Sequence, residues 1–513
     1  MSEMATSWVQ KAVNLCINVW EREDIENHML FSELEEQYQN FAEQDREHIL
    51  YIMRTQFAVQ DLLFILSCFV QYMKIPVFKE MVFECIERGD FDADQSCALE
   101  LQTAFYIPGY YKQKRQLHKR NIEKYEEVIK ADYPYHTLEE RNEKRIIIVT
   151  DQLVEIVHAP TRIVRNVAYI LQERLGYEVL IFVCPPDRGV EMELWYQSRI
   201  QRSDKYYYTH TIELEHMGAK LHGYQINMTE SSQKEYSMML ELIHAWNPLF
   251  VFNLGAWHPV VELTKKFTTL VTMDMSSECP VSEGDILIRP MRVDEERERI
   301  YEEETAYAGQ KQIFMDEPMP ALITPMEEVY TREELHLPEN KFLIAIVGNR
   351  LDREVDEEFA KELEKILDNN EEAILVFIGK KKVNKEYFSQ EIWQHRVYDL
   401  GYCEELMKVY GALDLYVNPK RMGGGYSSIF AAIAGLPVVT LPDCDVANNV
   451  GEQFVVNDYS EMVDIVGKYI KDKEFYEEKK KCALQVAKIN SEEKMVDYIS
   501  RMLHRITEVM EKQ

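Results

Sequence analysis

Three consecutive glycines, Gly423, Gly424 and Gly425, followed by Tyr426, Ser427 and Ser428, are the residues of this chain best suited to hold a ligand by its backbone. Glycine lets the main chain approach a bound group with no Cβ in the way. An apolar strand from Leu413 to Val417 ends at Asn418-Pro419 ahead of the turn, and a helix of small residues runs from about Ile429 to Ala434. The N–H groups of a first helical turn and the helix dipole favour an anion at that end. Gly435 stops the helix, and Pro437 opens a second apolar strand to Leu441. The segment reads as a phosphate cradle between two parallel strands. The bland alternative is a strand-turn-helix-strand unit whose glycines only make a tight turn.

The spacing continues on both sides. Asp414-Leu415-x-x-x-Pro419, the glycine–serine turn and Ala434-Gly435-x-Pro437-Val438-Val439-Thr440 lead to Val446-Ala447-Asn448-Asn449-Val450-Gly451. Upstream stand Ile346-Val347-Gly348-Asn349-Arg350-Leu351-Asp352 and His395-Arg396-Val397-Tyr398-Asp399-Leu400-Gly401-Tyr402. Together they resemble the nucleotide-sugar-binding half of GT-B glycosyltransferases, of the family-4-like and O-GlcNAc-transferase-like kinds. The resemblance is good from about 340 to 500, fair from 144 to 325 and absent before that. It implies two Rossmann-like domains facing a cleft, with a terminal helix that crosses back to the first.

The resemblance also implies roles. Arg350 stands where related enzymes keep a diphosphate-binding cation, and Lys380, first of three lysines after Gly379, is a second one unless that loop is merely solvated. Tyr402 stands after the loop that covers the base. Some family positions are altered. The paired glutamates of retaining relatives are Met422 and Phe430 here, and the lysine five places after the phosphate-binding arginine is Val355. Phe430 also replaces the ribose-binding aspartate of O-GlcNAc-transferase-like enzymes, which leaves Glu452 as a substitute.

If an acceptor must lose a proton as it attacks the anomeric carbon, a base is needed. His258, in Gly-Ala-Trp-His-Pro after an apolar strand, is the leading candidate. His158, just before a helix start in the first strand's loop, is the second, and Asp151 could orient or replace either. Asp274 and Glu278 are weaker candidates.

These residues need a scaffold, and the chain divides accordingly. Residues 1–143 show helical spacing, as in Trp8, Ala12, Leu15 and Val19, and no strand signal. Residues 144–325 begin with the apolar run Ile146 to Val149, suited to a parallel strand buried on both faces. Further strands are expected at Val179 to Cys184, Leu249 to Leu254, Thr269 to Met273 and Ile286 to Ile288, with Val293 to Pro325 as the crossing. Residues 326–490 alternate strands and helices around Phe342 to Val347, Ile374 to Ile378, Arg396 to Tyr398, Leu413 to Val417 and Val438 to Leu441. Residues 491–513 form the last helix. The fold class is therefore α/β, two Rossmann-like domains with an N-terminal all-α domain.

Composition bounds the function. The 513 residues are 46% apolar and 29% charged, with net charge −31, which argues against nucleic acid as a partner. Nine scattered cysteines, with no C-x-x-C pair and no zinc spacing, fit a reducing cytoplasm. No signal peptide and no membrane span are visible. The basic run Lys112 to Arg120 is either a solvated helix face or a contact for an anionic surface or acidic acceptor. The expected function is metal-independent transfer of a sugar from a nucleotide-sugar donor, UDP-linked, to a protein or glycan acceptor, with no other cofactor. The helical domain would bind acceptor or a protein partner and be dispensable for donor binding. The alternative is a non-catalytic partner subunit that stabilises another transferase. A dinucleotide dehydrogenase is disfavoured, since neither Val149 to Pro160 nor Val347 to Leu351 provides G-x-G-x-x-G with an acidic residue about twenty positions later.

Overall fold

The computed structural model describes residues 3–154, 158–186, 194–196, 210–255, 257–275, 278–323, 328–421, 423–442 and 444–512. Met422 and the 325/326 domain boundary lie outside the described residues.

The N-terminal unit is helical: α1 (Glu3–Ile17), α2 (Asp24–Asn40), α3 (Glu43–Gln56), α4 (Val59–Tyr72), α5 (Pro76–Arg88), α6 (Ala93–Tyr106) and α7 (Tyr111–Val128). Its core is aromatic: Trp8 packs against Tyr38, Phe69 and Phe78. Trp195 and Tyr196, from far along the chain, complete that core, and the Tyr196 and Tyr72 hydroxyls lie 2.7 Å apart.

The first sheet contains β1 (Asn142–Thr150), β2 (Glu178–Val183), β3 (Thr211–His216), β4 (Ala219–Gln225), β5 (Pro248–Leu254), β6 (Leu270–Met273), β7 (Ile286–Arg289) and β8 (Lys311–Phe314), in the order β3-β4-β2-β1-β5-β6-β7-β8. All pairings are parallel except β3 with β4. Helices α8 (Ala159–Tyr169), α9 (Ser232–Trp246) and α10 (Glu295–Tyr307) connect them. The second sheet is wholly parallel, with β9 (Phe342–Val347), β10 (Ala373–Ile378), β11 (Val397–Gly401), β12 (Leu415–Val417) and β13 (Val438–Val439) in the order β11-β10-β9-β12-β13. Its helices are α11 (Leu351–Glu354), α12 (Glu357–Asp368), α13 (Gln390–Arg396), α14 (Leu406–Tyr410), α15 (Gly425–Ile433), α16 (Asp445–Val450), α17 (Tyr459–Lys471) and α18 (Lys473–Ile489).

The last helix, α19 (Glu492–Met510), presents Met495, Tyr498, Ile499, Met502, Leu503 and Ile506 at helical spacing, and these bury into the core of the first sheet beside Ile146, Ile148 and Val271. Arg505 donates to the Phe314 carbonyl, and Arg501 pairs with Glu317. The helix therefore ties the end of the chain to the first sheet.

Two elements differ from the sequence expectation. The stretch from Val293 to Pro325 is not a bare crossing, because it contributes α10 and the edge strand β8. The hairpin β3–β4 was not expected: its turn has positive φ at Met217 and Gly218, and methionine lacks the Asn-Gly or Asp-Gly signal of such turns.

The basic run is only partly solvated: Arg115 and His118 are buried, and most of its cations meet acids of the neighbouring domain. Arg115 Nη2 reaches Glu283 at 2.5 Å and Nη1 the Ser282 carbonyl at 2.9 Å. Lys119 also pairs with Glu283, Lys112 with Glu303 and Glu304, and Arg120 with Glu87. His118 lies buried between Glu100 and Glu262, at 2.6 and 3.1 Å. Helix α7 is thus an internal weld to the first sheet domain, and removing residues 1–143 would strip Glu262 and Glu283 of their cations. The helical unit also meets the second sheet domain, where the Gln71 side-chain amide of α4 lies 3.2 Å from the Arg353 guanidinium. Among the described residues no helix is long and apolar enough to cross a membrane.

Candidate active site

Strand β12 delivers the chain to the glycine turn at the carboxyl edge of the second sheet. Gly423 and Gly424 have φ of +93° and +84°, the left-handed region that only glycine enters without strain. Gly424 is the N-cap of α15, so the N–H groups that follow lack intrahelical acceptors and point out of the helix end. The Gly423 N–H donates to Asp445 Oδ2 at 2.8 Å. Burial pushes the Asp445 carboxyl up, the Gly423 bond opposes this, and the charges of Glu278 and Arg350 also act on it. Asp445 thus sits where an incoming anion would compete for the same N–H.

Arg421 braces this turn, and sequence reading missed it. Its side chain is only 5% exposed. Nε donates to Asn418 Oδ1 at 2.9 Å, Nη1 to Glu354 Oε2 at 2.5 Å, and Nη2 to the Val347 carbonyl and Tyr416 hydroxyl at 2.6 and 2.7 Å. One guanidinium therefore joins the ends of β9 and β12 to α11. A Cβ on Gly424 would lie 2.6 Å from Nη2, so glycine is required there for space as well as for φ. The one available signal was a lone arginine two positions before the glycines. Glu354 also receives Arg350, Nε at 2.8 Å and Nη2 at 2.7 Å. The glutamate, 7% exposed, thus holds two arginines, one buried and one 42% exposed. A Cβ on Gly423 would stand 3.4 Å from Arg350 Nη2. The structure therefore brings Arg350 beside the glycine turn.

The other expected donor residues separate. Lys380, exposed at the end of β10, lies over the Tyr402 ring at 4.9 Å, and Tyr402 is itself 45% exposed. Ser428 does not serve: its N–H is bound to the Gly424 carbonyl, its hydroxyl donates to the Gly425 carbonyl at 2.7 Å, and it is fully buried. The Ser427 hydroxyl likewise donates to the Gly424 carbonyl at 2.7 Å and contacts the Tyr416 hydroxyl. The Tyr426 ring leaves the cradle to pack with Ala321, Ile323, Ile429 and Phe430. Glu452 is exposed, on the short 3-10 turn after α16.

On the first sheet the leading base candidate fails. His258 is 1% exposed. Its Nδ1 accepts from the Val260 N–H at 3.2 Å, so the proton sits on Nε2, which donates to the Tyr236 hydroxyl at 2.7 Å. Tyr125 packs against the ring. With both nitrogens committed inside the core, His258 caps the 3-10 helix Pro259–Lys266 and offers no lone pair to a cleft. Asp151 Oδ1 accepts from the Trp257 N–H at 2.8 Å, which makes it an anchor for that loop.

His158 is placed differently. It is the N-cap residue of α8, half-buried, with Nδ1 3.2 Å from Thr161 Oγ1. Burial and the charge of Lys380 hold its imidazole down to about 4, so it is neutral near pH 7. One turn along α8, Arg162 stacks over Phe430 and Tyr426 of α15, at 5.1 and 6.0 Å from the ring centres. The starts of α8 and α15 therefore face each other across the cleft.

Residues 341–472 match the family model described as "Glycosyl transferases group 1". No curated protein matches the chain. Among solved structures, a mutant O-GlcNAc transferase from Thermobaculum terrenum is similar at a TM-score of 0.55, with 13% identity over 98% of each chain. An α,α-trehalose-6-phosphate synthase from Burkholderia multivorans, at 11% identity, covers 72% of this chain and 98% of its own; its TM-score of 0.48 adds nothing to the fold assignment. Sheet topology, cleft and the first of these likenesses define the class: the chain has the GT-B fold behind an N-terminal helical unit. Its second sheet domain carries the glycosyl transferases group 1 match.

Proposed function

We propose that this protein is a metal-independent glycosyltransferase that moves a sugar from a nucleoside-diphosphate donor, UDP-linked, to a hydroxyl or amide of a protein or glycan acceptor. The observation that carries the reading is Arg350 set against the glycine turn at the start of α15, within the matched segment. As the glycosidic C–O bond breaks, charge develops on the leaving diphosphate. Preorganised N–H groups and a fixed guanidinium stabilise that charge most where they need not reorganise. Glu354 fixes Arg350, and Arg421 fixes the turn, so both are set before the donor arrives. Tyr402 and Lys380 line the base side. His158 takes the acceptor proton in the tautomer whose Nδ1–H donates to Thr161, which leaves the lone pair on Nε2.

The test is isothermal titration of UDP, followed by an assay of UDP release from UDP-glucose and UDP-N-acetylglucosamine with peptide and glycan acceptors. Failure to bind any nucleoside diphosphate ends the reading. A second reading, the non-catalytic partner subunit, is favoured by Phe430 and Val355, which put apolar groups where relatives keep charged ones. Nucleotide binding without hydrolysis or transfer, together with co-purification of an active transferase, would select it.

A further inference from the structure

Arg162 belongs to the first sheet domain, yet its guanidinium rests on the second. It stacks on Phe430 at 5.1 Å and on Tyr426 at 6.0 Å, both on the helix whose first turn forms the glycine cradle. Its Nε is enclosed and has no hydrogen-bond partner among the described residues. No carboxylate among the described residues forms an ion pair with it, whereas Arg115, Arg289, Arg332, Arg350 and Arg421 each hold one. A half-buried guanidinium supported only by ring faces is stacked but unneutralised, and such a group gains most from an anion that brings its own charge. The same side of the cleft already holds Arg350, Lys380 and the start of α15.

We infer that Arg162 is a donor-binding residue contributed across the cleft: it leaves part of its stack to grip the diphosphate and thereby couples donor binding to domain closure. The inference rests on the proposed function and deepens it. It assigns a recognition role to the first sheet domain, and it gives Phe430 a purpose, since an aromatic ring can park a guanidinium that the glutamate of relatives would neutralise. Arg162 binds the leaving group directly and takes no proton.

The test compares uridine, UMP and UDP binding to the wild-type chain, Arg162→Leu and Arg162→Gln by titration calorimetry. Leucine keeps an apolar contact with the two rings, glutamine keeps polarity, and melting curves confirm folding. A lost charge-assisted contact to the β-phosphate should weaken UDP by about 10- to 100-fold, with uridine and UMP changed by less than threefold. Equal weakening of all three ligands would mean that Arg162 only shapes the cleft, and unchanged UDP affinity would mean that it is a stacking residue alone; either result overturns the inference. If one variant fails to fold, the other decides. If the wild-type chain binds no UDP, the functional reading fails and this inference with it. If it binds UDP and the variants match it, only this inference fails.

Discussion

Replacing His118 by glutamine tests whether the helical unit is welded to the first sheet domain. The imidazole faces Glu100 with Nδ1 at 2.6 Å and Glu262 with Nε2 at 3.1 Å. Only a doubly protonated ring donates to both. Burial alone would draw its pKa down, but the two carboxylates outweigh burial and raise it from 6.5 to about 10. Because the folded value lies above the unfolded one, the stabilisation is complete below pH 6.5, declines as pH rises, and is gone above about 10. At about 1.36 kcal/mol per pH unit, the gap between 6.5 and about 10 sets a ceiling of about 5 kcal/mol. Independently, breaking a buried charge pair costs about 3–5 kcal/mol. His118→Gln should therefore lose about 3–5 kcal/mol at pH 6.5 and little near pH 10. Urea unfolding followed by tryptophan fluorescence, in half-unit steps from pH 6.5 to 9.5, measures this. Groups common to both proteins, such as Lys114, held down to about 8 by burial, cancel in the difference. A wild-type-minus-variant difference below about 1 kcal/mol at pH 6.5, or one that does not narrow by pH 9.5, would refute the reasoning.

Arg350→Ala should weaken UDP by about 1.5–3 kcal/mol in calorimetry, the scale of a charge-assisted hydrogen bond; unchanged affinity would remove Arg350 from the donor site. His158→Ala should lower turnover about 10²- to 10⁴-fold with donor affinity retained. Because His158 stays neutral down to about pH 4, wild-type kcat/KM should show no histidine-like fall between pH 7 and 5, and such a fall would point to another base. His258→Asn, which keeps an acceptor for the Val260 N–H, should leave that profile unchanged and alter only the melting temperature. Gly424→Ala should cost about 1–2 kcal/mol from its left-handed backbone, and by displacing Arg421 it should abolish measurable UDP binding; normal binding would show that the turn is not the cradle.

How much of this was legible in the sequence depended on the range of the interactions. The strands of both sheets could be read because a parallel strand buried on both faces needs a continuous apolar run, and Ile146 to Val149, Leu249 to Leu254 and Phe342 to Val347 are such runs. The glycine turn could be read because left-handed φ leaves few residue choices. Side-chain roles were less legible, since they depend on partners far along the chain. His158 and His258 both precede a proline-containing helical turn after a strand, and nothing local separates them. What separates them is tertiary: Tyr236 and Tyr125 close over His258, whereas His158 is only half-buried and feels the charge of Lys380 of the other domain. The basic run misled for the same reason. Clustered like charges usually mean solvation, but the acids that meet Arg115 and His118 lie 168 and 144 positions away. Arg162 had no signal of its own, and Arg421 had only its place two positions before the glycines. Arg421 is defined by the oxygens it gathers, Arg162 by meeting ring faces and no carboxylate among the described residues. That contrast makes the pair informative about function. A buried arginine with all its partners in place is a brace whose work is finished when the chain folds. A stacked arginine that meets no carboxylate among the described residues keeps its charge for an anion that arrives later; in the function proposed above, that anion is the donor's diphosphate.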